Sequence, residues 1–108
     1  MSARAVAGSV ARFPIIRNVT MTLADTEYST TLPENTKGFI IHTRDETEFR
    51  VSYEAGHVAT PTAPYFTVPA TKAYGEGDIS IYTYGGALLT LYFASAGAGK
   101  VIEIIYWT

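Results

Sequence analysis

Between Leu88 and Trp107 the chain reads LLTLYFAS, AGAGK and VIEIIYW, two runs dense in β-branched and aromatic residues around a short Gly/Ala turn. Runs of this kind favour strands over helices, and the turn between them predicts a β-hairpin. In the first arm Leu89, Leu91 and Phe93 share one face, with Leu88, Thr90, Tyr92 and Ala94 opposite. In the second, Ile102, Ile104 and Tyr106 oppose Val101, Glu103, Ile105 and Trp107. Neither arm alternates cleanly between apolar and polar. A strand that is apolar on both faces belongs at the centre of a sandwich or beneath a second surface from another subunit. Only Thr108 follows Trp107 in the sequence, so self-association is the expected cover for that outer face.

The remaining segments keep the same character. Residues 13–23 place Val19, Met21 and Leu23 on one face. Residues 27–32 set Tyr28, Thr30 and Leu32 against Glu27, Ser29 and Thr31, before Pro33-Glu34-Asn35-Thr36 breaks the run. Residues 37–43 alternate Phe39 and Ile41 with Gly38, Ile40 and His42. Residues 47–53 alternate best, with Phe49, Val51 and Tyr53 expected inside and Glu48, Arg50, Ser52 and Glu54 in water. Residues 55–64 read as a long surface loop and 65–68 as a short strand; 75–78 read as a turn and 79–84 as a strand. The expectation is an all-β fold, a single antiparallel β-sandwich of jelly-roll or Greek-key type with seven or eight short strands. Residues 13–108 form that domain, and residues 1–12 are expected to be a flexible N-terminal arm.

A chain of 108 residues supports one core, and its 17% of charged residues is low beside the usual figure of about a quarter. A net charge of −2 with scattered acids and bases argues against nucleic acid and against a polybasic membrane contact. No apolar run approaches the roughly 20 residues that span a bilayer, and Gly8, Ser9 and Arg12 interrupt any signal-peptide core. Without cysteine there are no disulfides, thiol catalysis or cysteine-ligated metals. A small core must then rely on packing or oligomerisation.

The chemistry-bearing motifs are sparse. Ala96-Gly97-Ala98-Gly99-Lys100 lacks the first glycine and the closing Ser or Thr of a phosphate loop and is followed by a strand. His42 and His57 have no nucleophile-elbow motif to serve. Glu76-Gly77-Asp78 and Asp45-Glu46-Thr47-Glu48 are the nearest approaches to a calcium loop and read as turns. No catalytic residue, cofactor or metal is expected. Eight tyrosines and one tryptophan carry more content, because such rings suit subunit interfaces and stacking on sugars. The candidate subunit-interface residues are Arg4 and Arg12 in the arm and Tyr82, Tyr84, Tyr92, Tyr106 and Trp107 in the second half.

Val19-Thr20-Met21-Thr22-Leu23-Ala24-Asp25-Thr26-Glu27-Tyr28-Ser29, followed by Leu32-Pro33-Glu34-Asn35-Thr36-Lys37, resembles the opening of small virion proteins of tailed bacteriophages. The stretch Gly56-His57-Val58-Ala59-Thr60-Pro61-Thr62-Ala63-Pro64-Tyr65 and the endings Leu91-Tyr92-Phe93-Ala94-Ser95 and Val101–Thr108 are similar to the same group. The resemblance covers most of the chain after Arg17 and carries no functional residue with it. It implies a non-enzymatic structural component of the virion, made in the host cytoplasm, decorating the capsid or belonging to the neck or tail. Its partners would be copies of itself and other virion proteins. The alternative is a carbohydrate-binding module whose Tyr and Trp rings attach the particle to a host surface.

Overall fold

The computed structural model describes residues 14–77, 79 and 88–108. Eight strands and no helix are found among them: β1 (Ile15–Met21), β2 (Tyr28–Leu32), β3 (Gly38–Thr43), β4 (Phe49–Ser52), β5 (Phe66–Val68), β6 (Tyr74–Glu76), β7 (Leu89–Ala94) and β8 (Lys100–Trp107). They form two four-stranded antiparallel sheets, ordered β1-β8-β3-β6 and β2-β7-β4-β5. The chain is thus a β-sandwich. Its pairing is nested: β1 with β8, β2 with β7, β3 with β6 and β4 with β5. This two-stranded ribbon is rolled so that β3 also meets β8 and β4 meets β7.

The expected hairpin between residues 88 and 107 is therefore corrected. Its two arms are β7 and β8, the inner strands of opposite sheets, and residues 95–99 carry the chain from one sheet to the other. The inner position buries one face of each run, Leu91 and Phe93 in β7 and Ile102, Ile104 and Tyr106 in β8, while Tyr92 in β7 and Val101, Ile105 and Trp107 in β8, on the opposite faces, are only half-buried. Gly99 takes φ 76° in the crossing, and its N–H donates to the Met21 carbonyl at 2.8 Å.

Met21, Phe39, Ile41, Ile102 and Ile104 from one sheet meet Leu32, Phe49, Val51, Leu91 and Phe93 from the other, all at 2% exposure or less. Each such side chain contributes about 1.5–3 kcal/mol on burial. The expected turn at 75–78 is corrected in part, since Tyr74–Glu76 pairs with Phe39–Ile41. Glycine is required at 75 for a packing reason: a Cβ there would stand 2.9 Å from the Phe39 carbonyl oxygen.

Two details of β4 also differ from its alternation. The strand ends at Ser52, which is buried and donates to the Pro64 carbonyl at 2.9 Å, so the next residue, Tyr53, swings out to 45% exposure. Arg50 does not face open water. The 54–62 segment folds over it with Val58 fully buried, and Arg50 Nε donates to the Val58 carbonyl at 2.7 Å.

The two open sides of the sandwich are closed differently. Where β1 approaches β2, Arg17 bridges the sheets. Where β5 approaches β6, Phe66 and Tyr74 do so with ring centroids 5.2 Å apart.

Candidate functional site

Two surfaces stand out. The first is the outer face of the β1-β8-β3-β6 sheet. Cross-strand register places Ile16, Ile105, Ile40 and Gly75 in one row, with Ile16 68% and Ile40 42% exposed. Ile16, Ile40 and Ile105 line an open depression of about 290 Å³ with His42 and Glu103 at its polar end. There Glu103 accepts from Arg44 Nε at 2.7 Å and lies 3.1 Å from His42 Nε2. The Arg44 hydrogen bond, with smaller help from His42, holds the Glu103 carboxyl below its ordinary value. Two register positions away, on the same face, Trp107 pairs with Gly38 and its indole lies directly over that glycine, where any Cβ would collide with the ring.

The second surface is a cleft of about 230 Å³ at the β5–β6 side, walled by Tyr53, Pro64, Tyr65, Phe66 and Tyr74, with Glu54 on its rim. Tyr53, Tyr65 and Phe66 are 45%, 39% and 55% exposed. The Ala63-Pro64 peptide bond is cis. Tyr74 donates to Glu76 Oε2 at 2.6 Å, and the Tyr53 and Tyr74 hydroxyls lie 2.8 Å apart. Tyr74 has a single hydroxyl proton and gives it to the carboxylate, so Tyr53 donates to Tyr74. Burial, then the Glu76 hydrogen bond, raises the Tyr74 hydroxyl well above the ordinary tyrosine range. Burial raises Tyr53 as well.

The expected interface residues are scattered. Tyr106 points inward at 3% exposure: Arg17 stacks over its ring at 5.1 Å and donates to its hydroxyl at 2.8 Å, which removes it from the surface. Tyr92 is half-buried in β7, opposite Ser29 and Ser52 in the second sheet, whereas Trp107 belongs to the first. Arg4, Arg12, Tyr82 and Tyr84 lie outside the described residues, as does the 1–12 arm. Tyr53, Tyr65, Phe66 and Tyr74, which form the cleft, were not singled out from sequence. Only their crowding of aromatic residues around Pro64 hints at it. His57 lies in the loop, 2.8 Å from the Thr62 carbonyl and 3.6 Å from Glu54. Among the described residues no group of three or more acids and histidines could hold a metal ion, and no helix is long and apolar enough to cross a membrane.

Comparison with protein-family models, with curated proteins and with solved structures found no match. The class defined by the fold is a small antiparallel β-sandwich with an apolar outer sheet face and an aromatic edge cleft.

Proposed function

We propose that this protein is a non-enzymatic structural component of a tailed-phage virion, a capsid decoration or a neck or tail accessory, that works through contacts between its own copies and with other virion proteins. We read the rolled ribbon as jelly-roll winding. The virion part of the proposal is supported by the resemblance in the runs at 19–37, 56–65 and 91–108. The contact part is carried by one observation: the row of exposed Ile16 and Ile40 with half-buried Ile105, beside half-buried Trp107, on a sheet whose inner face is already filled. A strip of isoleucines offers area without directional groups, so the same strip on a second copy is a matching partner in an isologous contact.

The test is solution mass by light scattering over a wide concentration range. Wild type should form a discrete oligomer, and Ile105→Asp should have a lower mass with unchanged β-sheet circular dichroism. A wild-type chain that stays monomeric throughout overturns self-assembly. The exposed Tyr53, Tyr65 and Phe66 rings favour a second reading, a carbohydrate-binding module. Titration with methyl glycosides tests it through the ring resonances of those residues.

A further inference from the structure

The edge cleft has a polarity that bears on its ligand. The Tyr53 proton is spent on Tyr74, the Tyr74 proton on Glu76, and the Ser52 proton on the Pro64 carbonyl. What these groups still offer is acceptors, the lone pairs of Tyr53 and the carboxylate of Glu54 on the rim, with the Glu76 carboxylate reached through Tyr74; the Tyr65 hydroxyl is a lining group that can also donate. Glu54 has His57 Nε2 at 3.6 Å as its neighbour. Aromatic faces beside carboxylates suit a cation, which is attracted by the π-system and donates to the acids.

The described arginines are held elsewhere: Arg17 on Thr30, Thr31 and Tyr106, Arg44 on Glu103, and Arg50 on Asp25 and Val58. Residues 1–13 carry Arg4 and Arg12 and no acidic residue. The register also says where β1 begins. Ile15 pairs with Tyr106, Tyr106 with Phe39, and Phe39 with Glu76, so one row runs from the beginning of β1 to the cleft edge. The start of β1 and the cleft therefore lie at opposite edges of one sheet. Copies set side by side along that row bring one copy's N-terminal segment to the next copy's cleft, a heterologous contact. Arg12 stands three residues before Ile15, a reach of about 10 Å when extended.

We infer that the Tyr53–Tyr65–Phe66–Tyr74 cleft receives an arginine from the N-terminal segment of a second copy. The inference rests on the assembly reading above but uses a different surface. The test uses the full chain with Arg4→Gln and Arg12→Gln as receptor and a synthetic peptide of residues 1–13 as probe, followed by tyrosine and phenylalanine ring resonances. The peptide should move Tyr53, Tyr65 and Phe66. Its affinity should drop roughly tenfold in a receptor that also carries Glu76→Gln, and a peptide with citrulline at both arginine positions should leave the rings unmoved. Equal binding of the citrulline peptide overturns the cation site. Ring shifts with methyl glycosides but not with the peptide overturn it in favour of the carbohydrate reading. Mixing the Arg4→Gln/Arg12→Gln chain, whose clefts are intact, with the Glu76→Gln chain, which keeps Arg4 and Arg12, should give a mass above that of either alone. No gain on mixing overturns a second copy as the source. Adding Ile105→Asp to the receptor should leave the peptide titration unchanged, so failure of the sheet-face contact is distinguishable from failure of the cleft.

Discussion

Arg17 ties the two sheets together where β1 meets β2. Its guanidinium donates to Thr30 Oγ1 at 2.7 Å and the Thr31 carbonyl at 2.8 Å in one sheet, and to the Tyr106 hydroxyl at 2.8 Å in the other, while covering the Tyr106 ring. A planar group with five donors can satisfy all three acceptors at once, which lysine cannot. Arg17→Met keeps the stem and removes the donors, leaving a nearly buried tyrosine hydroxyl without this partner. It should cost about 2–4 kcal/mol, seen as a lower urea midpoint at constant slope. Tyr106→Phe removes one bond from the same cluster and should cost about 1 kcal/mol. Equal losses in the two variants would show that the bridge to Thr30 and Thr31 contributes nothing. Gly38 poses the opposite problem, because it leaves room for an indole. Gly38→Ala puts a methyl group into the Trp107 ring and within 2.8 Å of the Glu76 carbonyl oxygen. The expected result is a loss of about 1–3 kcal/mol with a changed Trp107 emission spectrum. An unaltered spectrum would mean the indole does not rest on that glycine.

Strand positions were legible in the sequence because period-2 alternation is a local property: seven of the eight strands among the described residues coincide with runs identified from it, and the strand expected at 79–84 lies, but for Ile79, outside those residues. Partners were not legible. The β7–β8 connection is a short Gly-containing link, a length that can close a hairpin or cross the roughly 10 Å between packed sheets. Nothing local separates the two outcomes, because either one places both flanking strands inside a sheet. β6 was missed because Gly75 and Gly77 read as turn residues, whereas Gly75 is there to let β6 approach β3 closely. The β3–β8 pair also has an electrostatic signature that testing can reach. Glu103 is held below its ordinary value of 4.5, chiefly by Arg44, and Asp45 below 3.8, chiefly by Lys100. A carboxylate with a lowered folded-state pKa stabilises the fold above its unfolded value, and that stabilisation fades as pH falls through the folded one. Wild type should therefore be more stable than Glu103→Gln at pH 7, and the gap should close below pH about 4. Denaturant midpoints at several pH values check this, and a gap that persists in acid would assign the effect to packing.

At the scale of the molecule, the sandwich follows from strand count and two-sided apolar runs, but the edge cleft does not. Its rings come from the end of β4, the loop after the cis-proline, β5 and β6, and Tyr53 meets Tyr74 across 21 residues only because the ribbon rolls β5 and β6 to the same side. The rolled fold leaves two surfaces of different physics, an isoleucine row on one sheet face and an acidic aromatic cleft at an edge. A net charge of −2 is too small for long-range repulsion to dominate either contact. Salt should then separate them. Sodium chloride near 1 M shortens the Debye length to about 3 Å and screens an exposed cation in the cleft. Sulfate strengthens apolar burial. The assembly should lose mass in concentrated sodium chloride without reaching the monomer, and should gain mass in ammonium sulfate. The Ile105→Asp chain should be monomeric in concentrated sodium chloride, because both contacts are then absent. Light scattering across the two salts reads all three outcomes. A wild-type mass unaffected by sodium chloride would remove the arginine contact from the assembly and leave the isoleucine row as its only support.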